Sequence, residues 1–431
     1  MCDSAPLPPS IEVCIVGAGP TGLACALGLA ARKVSFVIVE AVAEGHTTSR
    51  AIAVYPGTLE AIGALHPGVV DDMIATGIRG DFTRAFDRHG QLVFNIMFAK
   101  LRTKYPFQIF MGQHTVEEAM RAGIRRSGHS IHFGKRMEAI KEVNEGQQFE
   151  LLFESGEKLR ARFVVAADGP KSFLRSFAGI TLRDPYTNKE AVPGPQDSNY
   201  IVADVVYEKP TDNVPRDAVQ LNIGEQGFVL MAPMKDPVDP ERNLFRLYVG
   251  VTGTPPREPD LAYLQGILDA KGPGSRTTPR NVPKIAKLLH AARFRTRPAL
   301  ADSFLHRTKR GAYILLAGDA AHTHGPAGGQ GMNLGMCDGT VLALAIDRHQ
   351  TARRQGEEAK ATQILESYSK TRREVAWTVI KLVQGVANLE AGGMTWAHWF
   401  RVVSMRIFSP VPFVNNFVAW NLSGLGHATK V

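Results

Sequence analysis

Two glycine-rich stretches carry residue types and spacings that could hold a phosphorylated cofactor. The first reads GAGPTG and has the spacing Gly17-x-Gly19-x-x-Gly22. Glycines in this pattern permit a tight turn, a close approach of the backbone to a pyrophosphate, and close packing of a helix on a strand. Further along the chain, Glu40 can accept hydrogen bonds from ribose hydroxyls. Because a carboxylate there would repel a 2′-phosphate, the pattern predicts tightly bound FAD or NAD.

The second stretch, GDAAHTHGPAGGQGMNLGMCDG at 318–339, lies about three hundred residues later and has seven glycines. Asp319 directly follows Gly318 at the end of a predicted strand, where its carboxylate suits a polyhydroxyl chain such as ribityl. The following GPAGGQGMN offers backbone N–H groups that lead into a helix, which suits an anionic ring edge. NAD alone would need only one such stretch, and a second strand–GxGxxG–helix unit is absent from the sequence. Both stretches therefore fit one FAD, with AMP at the first and ribityl-isoalloxazine at the second.

Short apolar runs predict the elements that position these stretches. IEVCIV (11–16) and SFVIV (35–39) read as buried parallel strands on either side of a helix, LACALGLAARK. RFVVAADG (162–169) and YILLAGD (313–319) read as further strands of the same sheet, ending at Asp168 and Asp319. A helix is predicted to start at Thr115, where Thr115-x-x-Glu118 has the form of a capping box.

Two insertions consist of short strand-like runs separated by turn residues, which predicts antiparallel sheet. Residues 81–109 alternate around a turn at His89-Gly90, and residues 198–250 contain several strands separated by glycine, proline and aspartate. After residue 340 the pattern becomes helical. The predicted fold class is α/β, a Rossmann-like FAD-binding domain interrupted by a β-sheet substrate domain, plus C-terminal helices. The predicted domains are a discontinuous FAD-binding domain (1–80, 110–185 and 295–365), a β-rich substrate domain (81–109 and 186–294) and a C-terminal helical segment (366–431).

Composition limits the remaining classes. The chain of 431 residues has 44% hydrophobic and 21% charged residues, as in ordinary globular proteins, and no apolar run of membrane-spanning length. The N-terminus lacks a secretory pattern and the four cysteines lack CxxC spacing, so we expect a cytoplasmic protein with reduced thiols. The basic stretch from Lys271 to Arg310 fits a surface that attracts an anionic dinucleotide or a solvated face. No recognised nucleic-acid motif is present, so we expect no nucleic acid.

Several stretches together resemble one known family. GAGPTG with Glu40, AADGPKSFLR (166–175) and the stretch at 318–339 look like the three signatures of the single-component (group A) flavoprotein aromatic hydroxylases, which are similar to para-hydroxybenzoate hydroxylase. The resemblance spans nearly the whole chain and looks nearest to the branch acting on phenols and polyketides. Gly325 departs from the pattern, since many members have a second proline there. Further similar stretches are SRAIAVYPGTLEAIGAL (49–65), QHTVEEAM (113–120), ILESYSKTRREVAW (364–377) and LSGLG (422–426).

The resemblance implies roles for individual residues. Arg50 and Gln113 would lie beside the FAD phosphates and ribityl chain, and Asp168 with Gly169 would serve FAD and the transient NADPH. Asp319 would hold the ribityl hydroxyls. The cofactor-binding residues predicted in this way and from the two stretches are Gly17, Gly19, Gly22, Glu40, Arg50, Gln113, Asp168, Gly169, Asp319, Pro326, Gly328, Gly329, Gly331, Met332 and Asn333.

The resemblance also implies an activity. A monooxygenase of this type takes hydride from NADPH, or from NADH, and inserts one O₂-derived oxygen into a small phenolic or polyketide-like aromatic substrate through a C4a-hydroperoxyflavin. Two alternatives stay open at this point: an FAD-dependent reductase or dehydrogenase of a prenyl or lipid-like substrate, and a flavin-binding protein without enzymatic activity. A monomer or homodimer is expected.

The substrate pocket and the tail are less well determined by the sequence. The β-rich insertions should form the pocket, so Asn222, Phe228 and Met231 are its predicted lining, with Tyr207, Arg246 and Tyr248 as further candidates. Sheet packing alone is the alternative reading for each. No metal site is expected, because His322-x-His324 has no third ligand at useful spacing. The amphipathic MTWAHWFRVVSMRIF (394–408) either packs on its own protein or contacts a membrane surface.

Overall fold

The structure is a computed structural model. It describes residues 6–43, 51–87, 89–192, 194, 198–210, 214–224, 227–236, 239, 241–251, 253–275, 281–390 and 396–430.

The strands vary widely in length. In chain order they are β1 (Ser10–Val16), β2 (Phe36–Val39), β3 (Ala53–Val54), β4 (Ile78–Gly80), β5 (Phe82–Phe86), β6 (Leu92–Met97), β7 (Gln108–Phe110), β8 (Ile131–His132), β9 (Met137–Val143), β10 (Gln148–Phe153), β11 (Lys158–Ala166), β12 (Leu182–Arg183), β13 (Ser198–Tyr207), β14 (Ala218–Gly224), β15 (Gly227–Pro233), β16 (Leu244–Val251), β17 (Ile285–Thr296), β18 (Ala299–Ala301), β19 (Leu305–Arg307), β20 (Tyr313–Leu316) and β21 (His322–Thr323).

Helices occur throughout the chain, and the last four follow one another from residue 330 onward. They are α1 (Pro20–Ala31), α2 (Pro56–Gly63), α3 (Pro67–Thr76), α4 (Gln113–Arg126), α5 (Phe173–Phe177), α6 (Leu261–Lys271), α7 (Gln330–Arg354), α8 (Glu358–Glu390), α9 (Trp396–Phe408) and α10 (Pro412–Leu422).

The first large sheet has a parallel centre. Its order is β19-β20-β11-β1-β2-β8, and β1 pairs in parallel with both β2 and β11, while β11 pairs in parallel with β20. The paired segments 13–16, 36–39, 163–166 and 313–316 are continuous apolar runs, as is typical where helices cover both faces of a parallel sheet. The predicted strands of the Rossmann-like unit are confirmed. Since the carboxyl ends of β1, β11 and β20 lie side by side, the segments that follow them share one edge of the sheet.

The second large sheet is antiparallel over most of its width. Its order is β17-β13-β16-β15-β14-β5-β6, so the hairpin at 82–97 joins the strands at 198–251 although the two regions are far apart in sequence. One face packs on α6, and helices α9 and α10 pack against the edge strand β6. The predicted fold class is thereby confirmed. The domain boundaries within it stay a prediction.

Two local predictions are corrected. Helix α4 begins at Gln113 with Gly112 as N-cap, and Thr115 lies inside its first turn, so the predicted capping box does not form. The segment at 313–319 was expected to be extended up to Asp319, but β20 ends at Leu316 and Gly318–Ala320 form a short 3₁₀ turn. Gly318 has φ +61°, a conformation that glycine adopts without strain, and this redirects the chain before Asp319.

Candidate functional site

The first glycine stretch forms a cradle with different constraints at each glycine. A methyl group at Gly17 (φ +105°) would lie 2.2 Å from the carbonyl oxygen of Ala167, and one at Gly22 would lie 1.9 Å from that of Gly17. Both positions therefore need glycine for packing of the protein itself. At Gly19 a methyl group would meet no atom of the described residues within 4 Å. The open space beside Gly19 is where the spacing predicts the pyrophosphate.

Helix α1 starts at this open space without a capping side chain. Its N-cap is Gly19 and its first residue is Pro20, so the free N–H groups of the first turn face the opening. Glu40 accepts hydrogen bonds from the backbone N–H of Ala18 at 2.7 Å and of Val42 at 3.1 Å. The carboxylate of Glu40 thus fixes the glycine turn, a role the sequence did not reveal, and its position beside the turn is compatible with the predicted ribose contact.

The two glycine stretches meet in space at Thr21. Methyl groups at Gly318 and Gly335 would lie 2.3 and 2.4 Å from the Thr21 side-chain oxygen, and one at Gly339 would lie 2.4 Å from the Thr21 carbonyl oxygen. Glycines of the second stretch therefore let α7 pack directly on the start of α1. The residues after the two turns share one site, which supports a single extended ligand.

Three side chains pin the loop before and at the start of α7. Tyr55 donates its hydroxyl to the Gly328 carbonyl at 3.0 Å, and burial raises the pKa of Tyr55, so the phenol stays protonated. Asn333 accepts from the Tyr55 N–H at 2.8 Å and donates to the carbonyls of Ala53 and Gly329. Gln330 donates to the Leu422 carbonyl at 2.9 Å. The side chain of Asn333 is thus structural, and only backbone is left for the predicted flavin contact there.

The remaining predicted cofactor residues lie around the same edge. Asp319 is exposed at the 3₁₀ turn, while Gly331 and Met332 occupy the half-buried first turn of α7 after Pro326. Gln113 opens α4 and donates to Glu117 at 2.9 Å. Arg50 lies outside the described residues.

Asp168 follows β11 beside the first glycine turn, just before Gly169, which has φ +81°. Its Oδ2 accepts from the Leu174 N–H at 3.2 Å, whereas its Oδ1 is buried without a hydrogen-bond partner among the described residues. Burial raises the pKa of this carboxyl. A buried oxygen that lacks a donor at this edge fits a ligand hydroxyl or N–H group.

A buried charge cluster lies directly behind the second stretch. Asp338 accepts from Arg372 Nε at 2.7 Å, from His322 Nε2 at 2.6 Å and from the Gly318 N–H at 3.2 Å. Burial by itself raises the pKa of Asp338. The ion pairs with Arg372 and His322 outweigh burial, so the pKa is lower than usual. His322 is thus a structural partner of a carboxylate. Among the described residues, no group of three His, Cys, Asp or Glu side chains is arranged to hold a metal ion.

His324 sits against the loop that the second stretch contributes. Its Nδ1–H donates to the Gly325 carbonyl at 2.7 Å, so its Nε2 carries the free lone pair, and that atom is buried with no partner in the described part of the chain. A methyl group at Gly331 would lie 3.9 Å from Nε2. Burial lowers the pKa of His324 to about 4. The imidazole is therefore a neutral acceptor facing the start of α7.

We expect stability to fall as the pH drops from about 6.5 toward 4. The folded-state pKa of His324 and of His427 is about 4, below the usual 6.5, so the unfolded chain binds protons that the folded chain excludes. Their contribution is complete above pH 6.5 and is lost on acidification. Urea unfolding at pH 7 and pH 5 measures it. His324→Asn, which keeps a donor for the Gly325 carbonyl, should show a smaller pH dependence, and an unchanged dependence would contradict the assignment.

The predicted pocket residues lie on two opposite faces of the antiparallel sheet. Phe228 and Tyr248 lie on the face that also carries Tyr200 and Phe294, together with apolar residues of α9. Met231 and Tyr207 lie on the opposite face, packed against α6, and their side chains meet at 3.5 Å. Asn222 pairs with Val229 of that opposite face and bonds Gln220. Asn222, Met231 and Tyr207 therefore face the α6 side of the sheet, opposite Tyr200, and their role as pocket lining stays a prediction.

An aromatic wall, defined here as Tyr200, Phe228, Tyr248 and Phe294, reaches the second stretch. Tyr200 stacks on Phe294 with ring centroids 5.5 Å apart, and Phe294 meets Tyr248 edge-on at 6.0 Å. A methyl group at Gly325 would lie 3.7 Å from the Tyr200 hydroxyl oxygen. The wall thus connects the sheet to the loop that precedes α7.

Arg246 lies on the same face but is already paired. It forms a two-pronged ion pair with Asp204, both bonds at 2.7 Å, and donates to the Ala51 carbonyl at 2.7 Å. It positions the chain next to the predicted cofactor residue Arg50. Sequence reasoning missed the structural roles of Tyr55, Asp338, Arg372 and Tyr200. A charged residue such as Arg372 within a helix that otherwise packs on the core was the available signal.

Known proteins match this architecture. A family model described as FAD binding domain matches residues 10–261 and 270–383. The 6-methylpretetramide 4-monooxygenase of Streptomyces rimosus is 30% identical over 337 residues, covering 78% of this chain and 55% of that protein. Pentachlorophenol 4-monooxygenase of Sphingobium chlorophenolicum is 26% identical, covering 86% and 63%. The chain thus spans about half to two thirds of the length of these curated relatives.

Solved structures share the fold at low sequence identity. The p-nitrophenol 4-monooxygenase of Pseudomonas putida superposes with a TM-score of 0.76 at 22% identity, covering 97% of this chain and 99% of that one. An aromatic hydroxylase from angucycline biosynthesis gives 0.70 at 22% identity, covering 97% and 76%. Both comparisons show that the arrangement of the two sheets and the C-terminal helices is a known one.

Proposed function

Because this chain belongs to the FAD-binding domain family, which includes the group A aromatic hydroxylases, we propose that it is an FAD-dependent monooxygenase of a small phenolic or polyketide-like aromatic compound. The family match confirms the prediction of FAD as cofactor. The observation that carries the proposed activity is the convergence of the two glycine stretches at Thr21 with the aromatic wall beside the second of them. The named relatives are monooxygenases, which supports the same reading.

The residues of the first stretch would bind the AMP half of the cofactor. The free N–H groups of α1 face the space beside Gly19, where they can stabilise the pyrophosphate charge. Glu40 holds the turn and would accept from the ribose. The unpaired Oδ1 of Asp168 would accept a further donor from the cofactor or from NADPH. These assignments rest on the open space beside Gly19 and on the Asp168 oxygen that has no partner among the described residues.

The residues of the second stretch would bind the flavin half. Asp319, exposed at its turn, would hold ribityl hydroxyls, and the backbone from Gly328 to Asn333 would face the ring. When bound, FAD supplies the redox chemistry, accepting hydride from NADPH and activating O₂. The chain orients the ring through the loop that Tyr55 and Asn333 pin, and positive potential at the start of α7 stabilises negative charge.

The aromatic wall would orient the substrate and keep water away from the ring. Stacked aromatic side chains offer a flat apolar surface to an aromatic compound, and the Tyr200 hydroxyl, which lies near Gly325, would take part in a hydrogen bond with the substrate. We further propose NADPH as donor, with NADH as the alternative, O₂ as co-substrate, a monomer or homodimer, and a cytoplasmic location. The predicted contact of the tail with a membrane surface stays a proposal. This contact is independent of the flavin chemistry.

Anaerobic stopped-flow reduction with NADPH tests the activity. The yellow protein is mixed with NADPH in the presence and absence of a panel of phenols, and loss of flavin absorbance is followed. A large acceleration by a phenol, followed in air by a product carrying ¹⁸O from ¹⁸O₂, supports a monooxygenase. Reduction with a product free of ¹⁸O would indicate a reductase or dehydrogenase. Bound FAD without NADPH oxidation across the panel would indicate a flavin-binding protein without this activity.

We expect Tyr200→Phe to weaken binding of the activating phenol by about threefold to tenfold, since a hydrogen bond contributes about 0.5–1.5 kcal/mol. Tyr207→Phe is the matched control, because Tyr207 is on the same strand but faces α6. The half-saturating phenol concentration for flavin reduction is the measurement. Equal effects of the two variants would remove Tyr200 from the substrate site.

A further inference from the structure

Large exposed apolar side chains are concentrated in the last two helices. Phe413 is 79% exposed and Phe417 is 62% exposed, whereas single exposed apolar residues elsewhere are ordinary for soluble proteins. A contiguous exposed group of this kind marks an interaction surface. We define the tail face as Ile407, Phe408, Val411, Phe413, Phe417 and Trp420.

The orientation of α10 is fixed by its buried side. Asn415 donates to the Asn95 carbonyl at 2.6 Å and accepts from the Met97 N–H at 3.2 Å, which ties the helix to β6. Ala419 and Leu422 pack on the same side. Phe413, Phe417 and Trp420 are spaced i, i+4 and i+7, so they share the opposite side of the helix. The aromatic side chains therefore project outward because the inward side is already occupied.

The tail face lies where two acid-free stretches of the chain meet. Residues 391–431 contain no aspartate or glutamate, and neither do residues 88–116. The short 3₁₀ turn Phe98–Lys100 contacts α10, and Lys100, Arg102 and Lys104 are exposed in and just after this turn, where Glu60 accepts from the Thr103 hydroxyl and the Lys104 N–H. We define these three residues as the basic rim. An apolar aromatic face with a rim of cations complements a surface with an apolar interior and anionic head groups.

We propose that the tail face docks on an anionic lipid surface, with its aromatic side chains at the level of the head groups and the basic rim against lipid phosphates. A second copy of the chain fits less well, because a symmetric contact would place one basic rim beside another. Val402 and Met405 of α9 pack on the sheet face that carries the aromatic wall. A docked chain would thus hold its predicted substrate side close to a source of lipophilic compounds.

Vesicle binding by the full FAD-loaded chain tests this proposal without measuring activity. The vesicles contain phosphatidylcholine alone or phosphatidylcholine with phosphatidylglycerol, and co-sedimentation gives the partition coefficient. We expect binding to the anionic vesicles that weakens with salt, and a loss of about tenfold or more in Phe413→Ser/Phe417→Ser. Lys100→Glu/Arg102→Glu should lose the preference for anionic vesicles. The matched control is Phe173→Ser. Phe173 is also exposed but lies in α5, far in sequence from the tail face, so this variant should bind vesicles like the wild type.

Two outcomes would overturn the proposal. One is no binding of the wild type to anionic vesicles. The other is a concentration-dependent dimer that Phe413→Ser/Phe417→Ser abolishes, which would assign the tail face to a second copy. If the double variant fails to fold, quenching of Trp420 fluorescence in the wild type by brominated lipid decides the point, with Trp420→Phe identifying its signal. FAD content should be equal in all folded variants, so failure of docking is distinguishable from failure of the flavin site.

Discussion

Gly19→Val is expected to yield a folded but nearly colourless protein. A Cβ at Gly19 would meet no atom of the described residues within 4 Å, and the residue has φ −73° and ψ 179°, an extended conformation that valine adopts readily. The added methyl groups would occupy the space beside the first turn of α1, where the pyrophosphate is proposed to lie. We expect FAD affinity to fall by about a hundredfold or more, since loss of a few kcal/mol corresponds to that factor. Fluorescence titration of the apoprotein with FAD measures it.

The matched control for this variant is Gly266→Val in α6. A Cβ there would likewise meet no atom of the described residues within 4 Å, but the position lies on a helix behind the second sheet. Helix propensity costs it little, and FAD affinity should equal that of the wild type. Thermal unfolding of the apoproteins checks that both variants are folded. Unchanged FAD affinity in a folded Gly19→Val protein would place the pyrophosphate elsewhere.

Asp338→Ala is expected to lower the free energy of unfolding by about 3–5 kcal/mol, because it leaves Arg372 as an uncompensated buried charge. Both side chains are fully buried, and Asp338 also holds His322 and the Gly318 N–H. Urea unfolding measures the loss. Since Gly318 precedes Asp319, we also expect weaker FAD binding. Asp338→Ala/Arg372→Met, which removes both charges, should recover part of the stability.

Glu118→Ala provides the comparison for an exposed ion pair. Glu118 and Arg125 are both more than half exposed, so its loss should cost less than about 1 kcal/mol. If Asp338→Ala costs no more than Glu118→Ala, the buried cluster is not structural.

The pKa of Asp338 is lowered from 3.8, so its contribution to the free energy of unfolding is complete above about pH 4 and is lost as the pH falls further.

The sequence predicted the parallel core well because its signals are local. β1, α1 and β2 follow from a β-branched run, glycines at fixed spacing and a second apolar run, all within thirty residues. The hairpin of β5 and β6 around residues 89 and 90 likewise depends on neighbours in the chain. The capping box at Thr115 was wrong because the helix had already begun at Gln113, and a short motif does not set the register of a helix end that packing determines.

Which face of the second sheet each predicted pocket residue occupies was decided by the tertiary structure, because a strand sequence does not say which face a helix covers. Asn222 and Phe228 lie on adjacent strands of the same sheet, yet α6 covers the side of Asn222 and the aromatic wall occupies the side of Phe228. A shift of one residue exchanges the two faces. In β15 both faces are apolar, so nothing local distinguishes them, whereas in β14 the polar Gln220 and Asn222 alternate with Val219 and Leu221.

The sequence by itself determined that the cofactor is FAD, since glycine spacing and the carboxylate at Glu40 are typical of dinucleotide binding, and it predicted where FAD lies. Only the tertiary structure decided that Gly318 and Gly335 pack on Thr21, that Asp338 pairs with Arg372, and that Tyr200 reaches Gly325. Each of these contacts joins residues tens to hundreds of positions apart. Long-range packing selects such partners by shape and charge in three dimensions, and that selection leaves no fixed spacing in the chain.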